Sequence, residues 1–184
     1  MTQSSTKTTP KPQTLRSLEA LVLDCDGVLT NGDIVYDDQG RRLLSFNARD
    51  GLGLGMLCRR LKVAVLSRRP TDIAELRHRS MGLAAFVGSC ANKGQGLKDL
   101  CETLQVDPSR TAFMGRRPRR SVCLCGVRPA HCRRRCGARS LRRAATWITR
   151  DFRGRGAVRE VCESILERGA NGEDMVRGFT HGEL

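Results

Sequence analysis

Two carboxylates separated by one residue are the first feature of this sequence that could carry chemistry. Asp24 and Asp26 follow a short apolar run and lead into Gly27, in the string LDCDGVLTNG. At this spacing one carboxylate can attack phosphorus to give a phosphoaspartate, while the other protonates the leaving oxygen and later activates water. A magnesium ion offsets the repulsion between the attacking carboxylate and a phosphate dianion. An isolated pair of this kind is also typical of a solvated loop, so the pair alone does not decide the function.

Alternating strands and helices must position these two acids. In the second predicted helix, the apolar pattern places Ile73, Leu76 and Met81 on the buried face. The chain between the first two predicted strands is too short to hold a cap domain. This order predicts an α/β fold, a single Rossmann-like domain with a parallel sheet and a β-hairpin insertion. The predicted strands cover 18–24, 62–67, 84–88 and 110–115, the helices 51–61, 71–82, 93–104 and 157–169, and the hairpin 33–46.

Chemically useful groups follow most of the predicted strands. In parallel α/β sheets the ligand site lies at the carboxyl ends of the strands. Asp24 and Asp26 follow the first strand, Ser67 follows the second and Gly115 the fourth, while the third leads toward Lys93. Ser67 and Lys93 taken singly are typical of an ordinary protein surface. Their order behind the predicted strands is what makes them candidates for a phosphate site.

The wider string resembles one family in order and spacing. DxDGVLTxG is followed by FNARDG (46–51), VLSRR (65–69), Lys93 and GRGAVREVC (154–162). This arrangement resembles the 3-deoxy-D-manno-octulosonate 8-phosphate (KDO 8-phosphate) phosphatases, which are capless members of the haloacid dehalogenase (HAD) superfamily. The resemblance implies a magnesium-dependent homotetramer that hydrolyses KDO 8-phosphate to KDO and phosphate in lipopolysaccharide synthesis.

The resemblance also implies roles for individual residues. Asp24 matches the nucleophile and a magnesium ligand, and Asp26 matches the general acid/base, whose backbone carbonyl also binds the metal. Ser67 matches a hydroxyl that holds phosphoryl oxygens. Lys93 matches the lysine that neutralises phosphate and nucleophile. The substrate-binding residues implied by the match are Asp26, Asn47, Ala48, Arg49, Asp50, Gly51, Arg69, Arg77 and Lys93.

Three departures from the family pattern concern the site. Arg68 replaces a glycine in the turn after the second strand, and Gly55 stands where an arginine is common. The most serious departure follows Gly115, where the family has G-D-D-x-x-D and its acids complete the magnesium site. Here Arg116 and Arg117 take the positions of the first two acids. An alternative function is therefore a catalytically impaired HAD-fold remnant, or a binding protein that lacks a complete metal site.

Residues 116 to about 144 form a segment of unusual composition. The stretch from Arg116 to Arg143 holds 11 of the 33 basic residues and no Asp or Glu, so removing it lowers the net charge from +14 to +3. One hypothesis is translation in a shifted frame. If RRPRR is encoded CGA CGA CCN CGN CGA, reading one base later gives Asp-Asp, two positions that allow Leu and Ala, and then an acid. Sequencing the gene across this stretch tests the hypothesis, and a single open frame with unrelated codons would contradict it.

Other interpretations of the segment stay open. Dense arginine supplies phosphate contacts to RNA or DNA, but without interleaved aromatic residues or a recognisable module the pattern disfavours a nucleic-acid partner. A zinc site is disfavoured because structural zinc sites prefer paired C-x(2–4)-C spacings. As written, the segment is typical of a disordered run of like charges. The zinc ligands considered are Cys123, Cys125, His131, Cys132 and Cys136.

The remaining composition predicts a cytoplasmic protein with no membrane partner. The leader 1–17 lacks the apolar centre of a signal peptide, and no run approaches the roughly 18 apolar residues of a membrane helix. The five cysteines outside the arginine-rich segment lie among apolar neighbours, which is typical of reduced core residues. The sequence predicts a disordered leader (1–17), a HAD-like domain (18–169) and a C-terminal tail (170–184).

Overall fold

The computed structural model describes residues 15–69, 72–116, 121–126 and 147–167. Its strands are β1 (Ala20–Leu23), β2 (Val35–Tyr36), β3 (Arg42–Leu43), β4 (Lys62–Leu66), β5 (Ala85–Val87), β6 (Thr111–Arg116), β7 (Ser121–Gly126) and β8 (Trp147–Phe152). Its helices are α1 (Ala48–Cys58), α2 (Asp72–Ser80), α3 (Lys93–Leu104) and α4 (Ala157–Glu167). A π-turn spans Cys25–Leu29 and a 3-10 turn spans Pro108–Arg110.

The main sheet has the strand order β5-β4-β1-β6-β7-β8, and β2 and β3 pair separately as the predicted hairpin. The first four strands of this order run parallel, as predicted. The central strand β1 is buried throughout, which matches its continuous apolar sequence. The predicted α/β fold is confirmed, and it is extended at one edge by β7 and β8, which pair antiparallel.

Strand β7 corrects the prediction of a disordered run over 116–144. Its sequence, SVCLCG, is short, uncharged and contains Val and Leu, so it pairs with β6 and β8 although arginines flank it. A short connection of this length joins antiparallel neighbours, which explains why the sheet is mixed at this edge. The rest of the segment (117–120 and 127–146), with His131, Cys132 and Cys136 of the disfavoured zinc site, lies outside the described residues.

Side chains alternate across the sheet and build two apolar layers. Leu21 and Leu23 of β1 join the larger cluster, which includes the buried faces of α1 and α4. Val22, between them, joins a second cluster on the opposite face, with Leu97 and Leu100 of α3. This period of two is what a strand buried on both faces requires. The result is a layered sheet in which helices cover both faces and leave the strand ends accessible.

Two helices differ from their predicted form. Helix α1 begins at Ala48 rather than residue 51, because the side chain of Asn47 caps it by accepting hydrogen bonds from the amides of residues 49 and 50. In α2, Leu76 is 70% exposed and Ile73 is 39% exposed, so their predicted burial is wrong. Ala74 and His78 face the interior instead. The short apolar pattern of α2 did not distinguish these two faces.

The chain boundaries also differ from the prediction at one end. Leu15 is 1% exposed and belongs to the larger apolar cluster, so the packed domain begins before residue 18. Residues 1–14 and 168–184, with most of the predicted leader and the predicted tail, lie outside the described residues. Among the helices that the structure describes, none is long and apolar enough to cross a membrane.

Candidate active site

The two acids of the first motif lie at the carboxyl end of β1. The amide of Asp24 donates to the carbonyl of Met114 at 3.0 Å, which extends the pairing of β1 with β6 to the strand end. The chain then turns at Gly27, which has a φ of 76°. Glycine adopts this left-handed conformation with little steric strain. Cys25 points into the core, and burial, with the nearby Asp26 and Asp24, raises the pKa of its thiol to about 12. The thiol therefore stays protonated, which leaves the two flanking carboxylates as the candidate reactive groups of this loop.

Lys93 contacts the predicted nucleophile directly. Its Nζ lies 2.6 Å from Oδ1 of Asp24, and the two side chains are 18% and 16% exposed. Lys93 is the first residue of α3, and Asn92 caps that helix by accepting from the amides of residues 94 and 95. The ring of Phe113 lies beneath the ammonium, 5.6 Å from Nζ to its centroid. The pair is therefore partly shielded from water, where a single cation can hold both a carboxylate and an incoming phosphate.

Ser67 lies at the same edge of the sheet. It follows β4, whose register places Val65 beside Leu23 of β1. Its amide donates to the carbonyl of Val87 at 2.8 Å, and its carbonyl accepts from the amide of Cys90 at 3.0 Å. Its hydroxyl accepts from the amide of Arg69 at 3.3 Å, and the residue is 2% exposed. The hydroxyl is thus held in a turn at the carboxyl end of β4, at the same edge of the sheet as Asp24.

Arg42 is a site residue that the sequence analysis missed. It lies on β3 of the hairpin, and its Nη2 is 3.1 Å from Oδ1 of Asp26. The structure therefore brings the hairpin to the catalytic loop and pairs each motif acid with a different cation. The sequence pattern that could have predicted a role for Arg42 is the alternation within GRRLLSF. It places Arg41 and Arg42 on opposite faces of the hairpin, so one of the two can face the site.

The predicted sugar-binding segment divides into two groups. Asp50 is 1% exposed, and its carboxylate accepts from the amide of Arg159 at 2.9 Å and that of Gly156 at 3.3 Å. Burial raises the pKa of this carboxyl, while the hydrogen bonds to α4 oppose the rise. Asp50 therefore caps the start of α4 instead of facing a substrate, which corrects its predicted role.

Other residues predicted to bind substrate lie at the protein surface or contact one another. Ala48 and Arg49 are exposed on the first turn of α1, and Arg69 is exposed beyond Ser67. A side chain at Gly51 would collide with the guanidinium of Arg77, so this glycine lets α2 bring its arginine against α1.

A cavity of about 650 Å³ lies at the opposite edge of the sheet and is lined by several basic side chains. Two of them have a structural explanation. Lys62 donates to the carbonyl of Leu104 at 2.5 Å, and Arg60 donates to the carbonyl of Ile165. Cations at the carboxyl ends of helices satisfy terminal carbonyls and complement the helix dipole. The cavity is therefore not part of the site that holds Asp24.

Comparison with known proteins identifies the family. No family model matches the chain. The curated 3-deoxy-D-manno-octulosonate 8-phosphate phosphatase of Escherichia coli K12 is 31% identical over 160 residues, which cover 82% of this chain and 80% of that protein. The chain belongs to the KDO 8-phosphate phosphatase family.

Solved structures agree with this assignment. The KDO 8-phosphate phosphatase of Moraxella catarrhalis, in complex with magnesium, phosphate and KDO, superposes with a TM-score of 0.77 at 25% identity, covering 91% of this chain and 97% of that one. The cobalt-bound enzyme of Haemophilus influenzae gives a TM-score of 0.74 at 27% identity, covering 91% and 99%. The predicted HAD fold and family are confirmed.

The metal site expected of a KDO 8-phosphate phosphatase is incomplete in the described residues. No group of three or more His, Cys, Asp or Glu side chains there could hold a metal ion. Each of the two motif acids is instead paired with a cation, Asp24 with Lys93 and Asp26 with Arg42. Mg²⁺ requires near-octahedral oxygen ligation. The acids that β1 supplies do not complete such a site without further oxygen ligands.

Proposed function

We propose that this chain's site hydrolyses the phosphate monoester of an acidic sugar, KDO 8-phosphate, to KDO and phosphate. The observation that carries the proposal is the contact of Lys93 with Asp24, 2.6 Å from Nζ to Oδ1, beside Asp26 at the carboxyl edge of the sheet. The relatives that share the fold act on this substrate by name, and one of them was solved with magnesium, phosphate and KDO. By this kinship the reaction belongs to lipopolysaccharide synthesis.

The reaction uses the two motif acids in turn. A carboxylate oxygen of Asp24 attacks phosphorus in line with the bond to the sugar oxygen, and that bond breaks. Asp26 gives its proton to the departing oxygen, so the sugar leaves as an alcohol. Asp26 then takes a proton from water, which attacks the phosphoaspartate and releases phosphate. Lys93 holds the phosphoryl charge in both steps, and Ser67 supplies a hydroxyl to its oxygens.

Magnesium is the cofactor that this family relationship supports, since a relative was solved with it. In this chain we assign it the carboxylate of Asp24 and the backbone carbonyl of Asp26. Magnesium would neutralise charge on the phosphoryl group. Because Arg116 and Arg117 occupy the positions of the family's next acids, the site as written binds it weakly.

Substrate selection is assigned to the polar surface around the acids. Asn47, Ala48, Arg49 and Gly51 come from the start of α1, Arg69 from the turn after β4 and Arg77 from α2. Guanidinium groups bind planar carboxylates in bidentate fashion, so arginines here suit the carboxylate of an acidic sugar.

We also propose an oligomeric state and a cellular location for the protein. The hairpin exposes large apolar side chains, with Tyr36 61% exposed and Ile34 56% exposed, along with Val35 and Leu43. Exposed large apolar side chains clustered on one short hairpin are typical of a protein interface. A cytoplasmic homotetramer in which neighbours close the site would account for both the exposed hairpin and the lack of a cap domain among the described residues.

A second candidate function is a catalytically impaired HAD-fold protein that binds sugar phosphates without turning them over. Arg116 and Arg117 favour it for the chain as written, because they replace acids and oppose a bound cation. We infer that the stretch from residue 116 to about 144 derives from an out-of-frame translation of the family sequence, so the impairment is local while the rest of the site is retained.

A substrate panel tests the proposed function. Phosphate release is measured with magnesium for KDO 8-phosphate, ribose 5-phosphate and a nucleoside monophosphate, on the chain as written and on a version carrying Arg116→Asp and Arg117→Asp. We expect kcat/KM to be at least about tenfold higher for KDO 8-phosphate than for the other two, because one lost charge-assisted contact costs roughly that factor. Equal rates for all three substrates would contradict the assigned specificity.

Lys93→Ala is expected to lower kcat/KM by about a hundredfold or more, whereas Lys98→Ala changes it by less than about threefold. Lys93 contacts Asp24, while Lys98 of the same helix is exposed to solvent. Both substitutions remove one positive charge from α3, so the comparison isolates the position of the charge. Initial rates with KDO 8-phosphate provide the measurement, and equal losses in the two variants would count against Lys93 as the phosphate-binding lysine.

A further inference from the structure

We propose that Arg42 is a positioning residue for this reaction, which holds Asp26 in the orientation from which it protonates the leaving oxygen. The inference rests on the proposed function. Nη2 of Arg42 donates to Oδ1 of Asp26 at 3.1 Å. Fixing Oδ1 sets the plane of the carboxyl group and leaves Oδ2 as the oxygen that meets the sugar oxygen.

The burial of the pair supports a specific role. The side chains of Arg42 and Asp26 are 20% and 28% exposed. The adjacent arginine behaves differently: Arg41 is 70% exposed and pairs within the hairpin with Asp37, at 2.6 Å from Nε to Oδ2. Neighbouring side chains on a strand face opposite sides, so one arginine of this dipeptide faces the site and the other faces solvent. The contrast is between the two arginines: Arg41 is exposed and stays within the hairpin, whereas the partly desolvated guanidinium of Arg42 reaches and orients Asp26.

The contact between Arg42 and Asp26 also attaches the hairpin to the loop that follows β1. Its two strands share two paired positions, Val35 with Leu43 and Tyr36 with Arg42. A two-stranded hairpin is marginally stable by itself. Within the described residues, Nε of Arg42 is buried without a hydrogen-bond partner. The fold thus tolerates an unsatisfied donor, normally unfavourable, while placing Nη2 against the acid/base. The position of Nη2 against Asp26, rather than full hydrogen bonding of the guanidinium, is therefore what this arrangement provides.

Leaving-group dependence tests the inference. A sugar alcohol needs a proton from Asp26 in order to leave, whereas p-nitrophenolate is stable as an anion and needs little help. We expect Arg42→Ala to lower kcat for KDO 8-phosphate by about tenfold to a hundredfold and for p-nitrophenyl phosphate by less than about threefold, with KM nearly unchanged. Arg42→Lys should recover part of the loss. Arg41→Ala is the matched control and should leave both rates unchanged.

The assays use the chain as written and the version carrying Arg116→Asp and Arg117→Asp, with Asp26→Asn as the reference for a lost acid. Equal losses on the two substrates, or equal effects of Arg41→Ala and Arg42→Ala, would overturn the inference.

Hydrogen–deuterium exchange of residues 35–43 provides a readout that does not depend on turnover. Exchange should be faster in Arg42→Ala than in Arg41→Ala, and adding Asp26→Asn to Arg42→Ala should not increase it further. If no version hydrolyses either substrate, the proposed function fails. In that case unequal exchange still supports the Arg42–Asp26 pairing, and equal exchange in the two arginine variants overturns it.

Discussion

Asp24→Asn is expected to abolish turnover of KDO 8-phosphate in whichever version of the chain is active, lowering kcat by about a thousandfold or more. Asparagine keeps the shape of the side chain but lacks the anionic oxygen that attacks phosphorus, so the phosphoaspartate cannot form. It also removes one partner of the ion pair with Lys93. The fold should remain, because Asp24 lies at a strand end and makes its strand-extending hydrogen bond through its backbone amide.

The control for this substitution is Asp38→Asn, which removes an equal charge from an exposed position in the hairpin turn. Its rate should equal that of the parent. Acid-quenched samples analysed by mass spectrometry provide a second readout, since a phosphorylated peptide containing residue 24 should be present in the parent and missing in Asp24→Asn. Activity within about tenfold of the parent in Asp24→Asn would exclude Asp24 as the nucleophile.

Restoring the acids after β6 is the second substitution with a large expected effect. Arg116→Asp combined with Arg117→Asp should raise magnesium-dependent phosphatase activity by about a hundredfold or more, since metal stabilisation of the transition state amounts to several kcal/mol. Arginine offers no oxygen ligand to a metal ion, and a guanidinium close to the site would repel the cation. Two like unit charges about 4 Å apart repel by roughly 4 kcal/mol at an effective dielectric constant near 20.

The matched control carries Arg133→Asp and Arg134→Asp. It changes the net charge by the same amount and lies in the same arginine-rich stretch, but later in the sequence than the positions that match the family's acids. An equal gain in activity from this control would indicate a general effect of charge on the protein. No gain from the substitutions at 116 and 117 would show that these two positions are not what limits the reaction.

The sheet and the edge that carries the site could be predicted from the sequence because both follow from short-range patterns. The apolar run before Asp24 predicts a buried parallel strand, and such a strand delivers its next residue to the edge where ligands bind. The same rule places Ser67 beside it, as the register of β1 with β4 shows. Lys93 could be predicted because Asn92 and Lys93 mark a helix start at that edge.

Other features depend on contacts between distant parts of the chain, and no local pattern shows these. Asp50 lies in a segment typical of substrate binding, yet its carboxylate caps α4, which begins more than 100 residues later in the chain. Arg42 and Asp26 are separated in the sequence by a turn and a loop, so their contact could be found only in the folded structure. In α2 the apolar residues Ile73 and Leu76 face outward, because packing against β5 selects the side with Ala74 and His78.

We propose that the chain keeps the phosphoryl-transfer residues of its family but lacks a complete magnesium site. Isothermal titration with magnesium tests this claim most directly, on the chain as written and on the version with Arg116→Asp and Arg117→Asp. We predict weak binding to the first and at least about tenfold tighter binding to the second, because carboxylates would replace cations at the sequence positions where the family has its further acids. Equally tight binding to both proteins, together with ordinary turnover of KDO 8-phosphate by the chain as written, would contradict the claim.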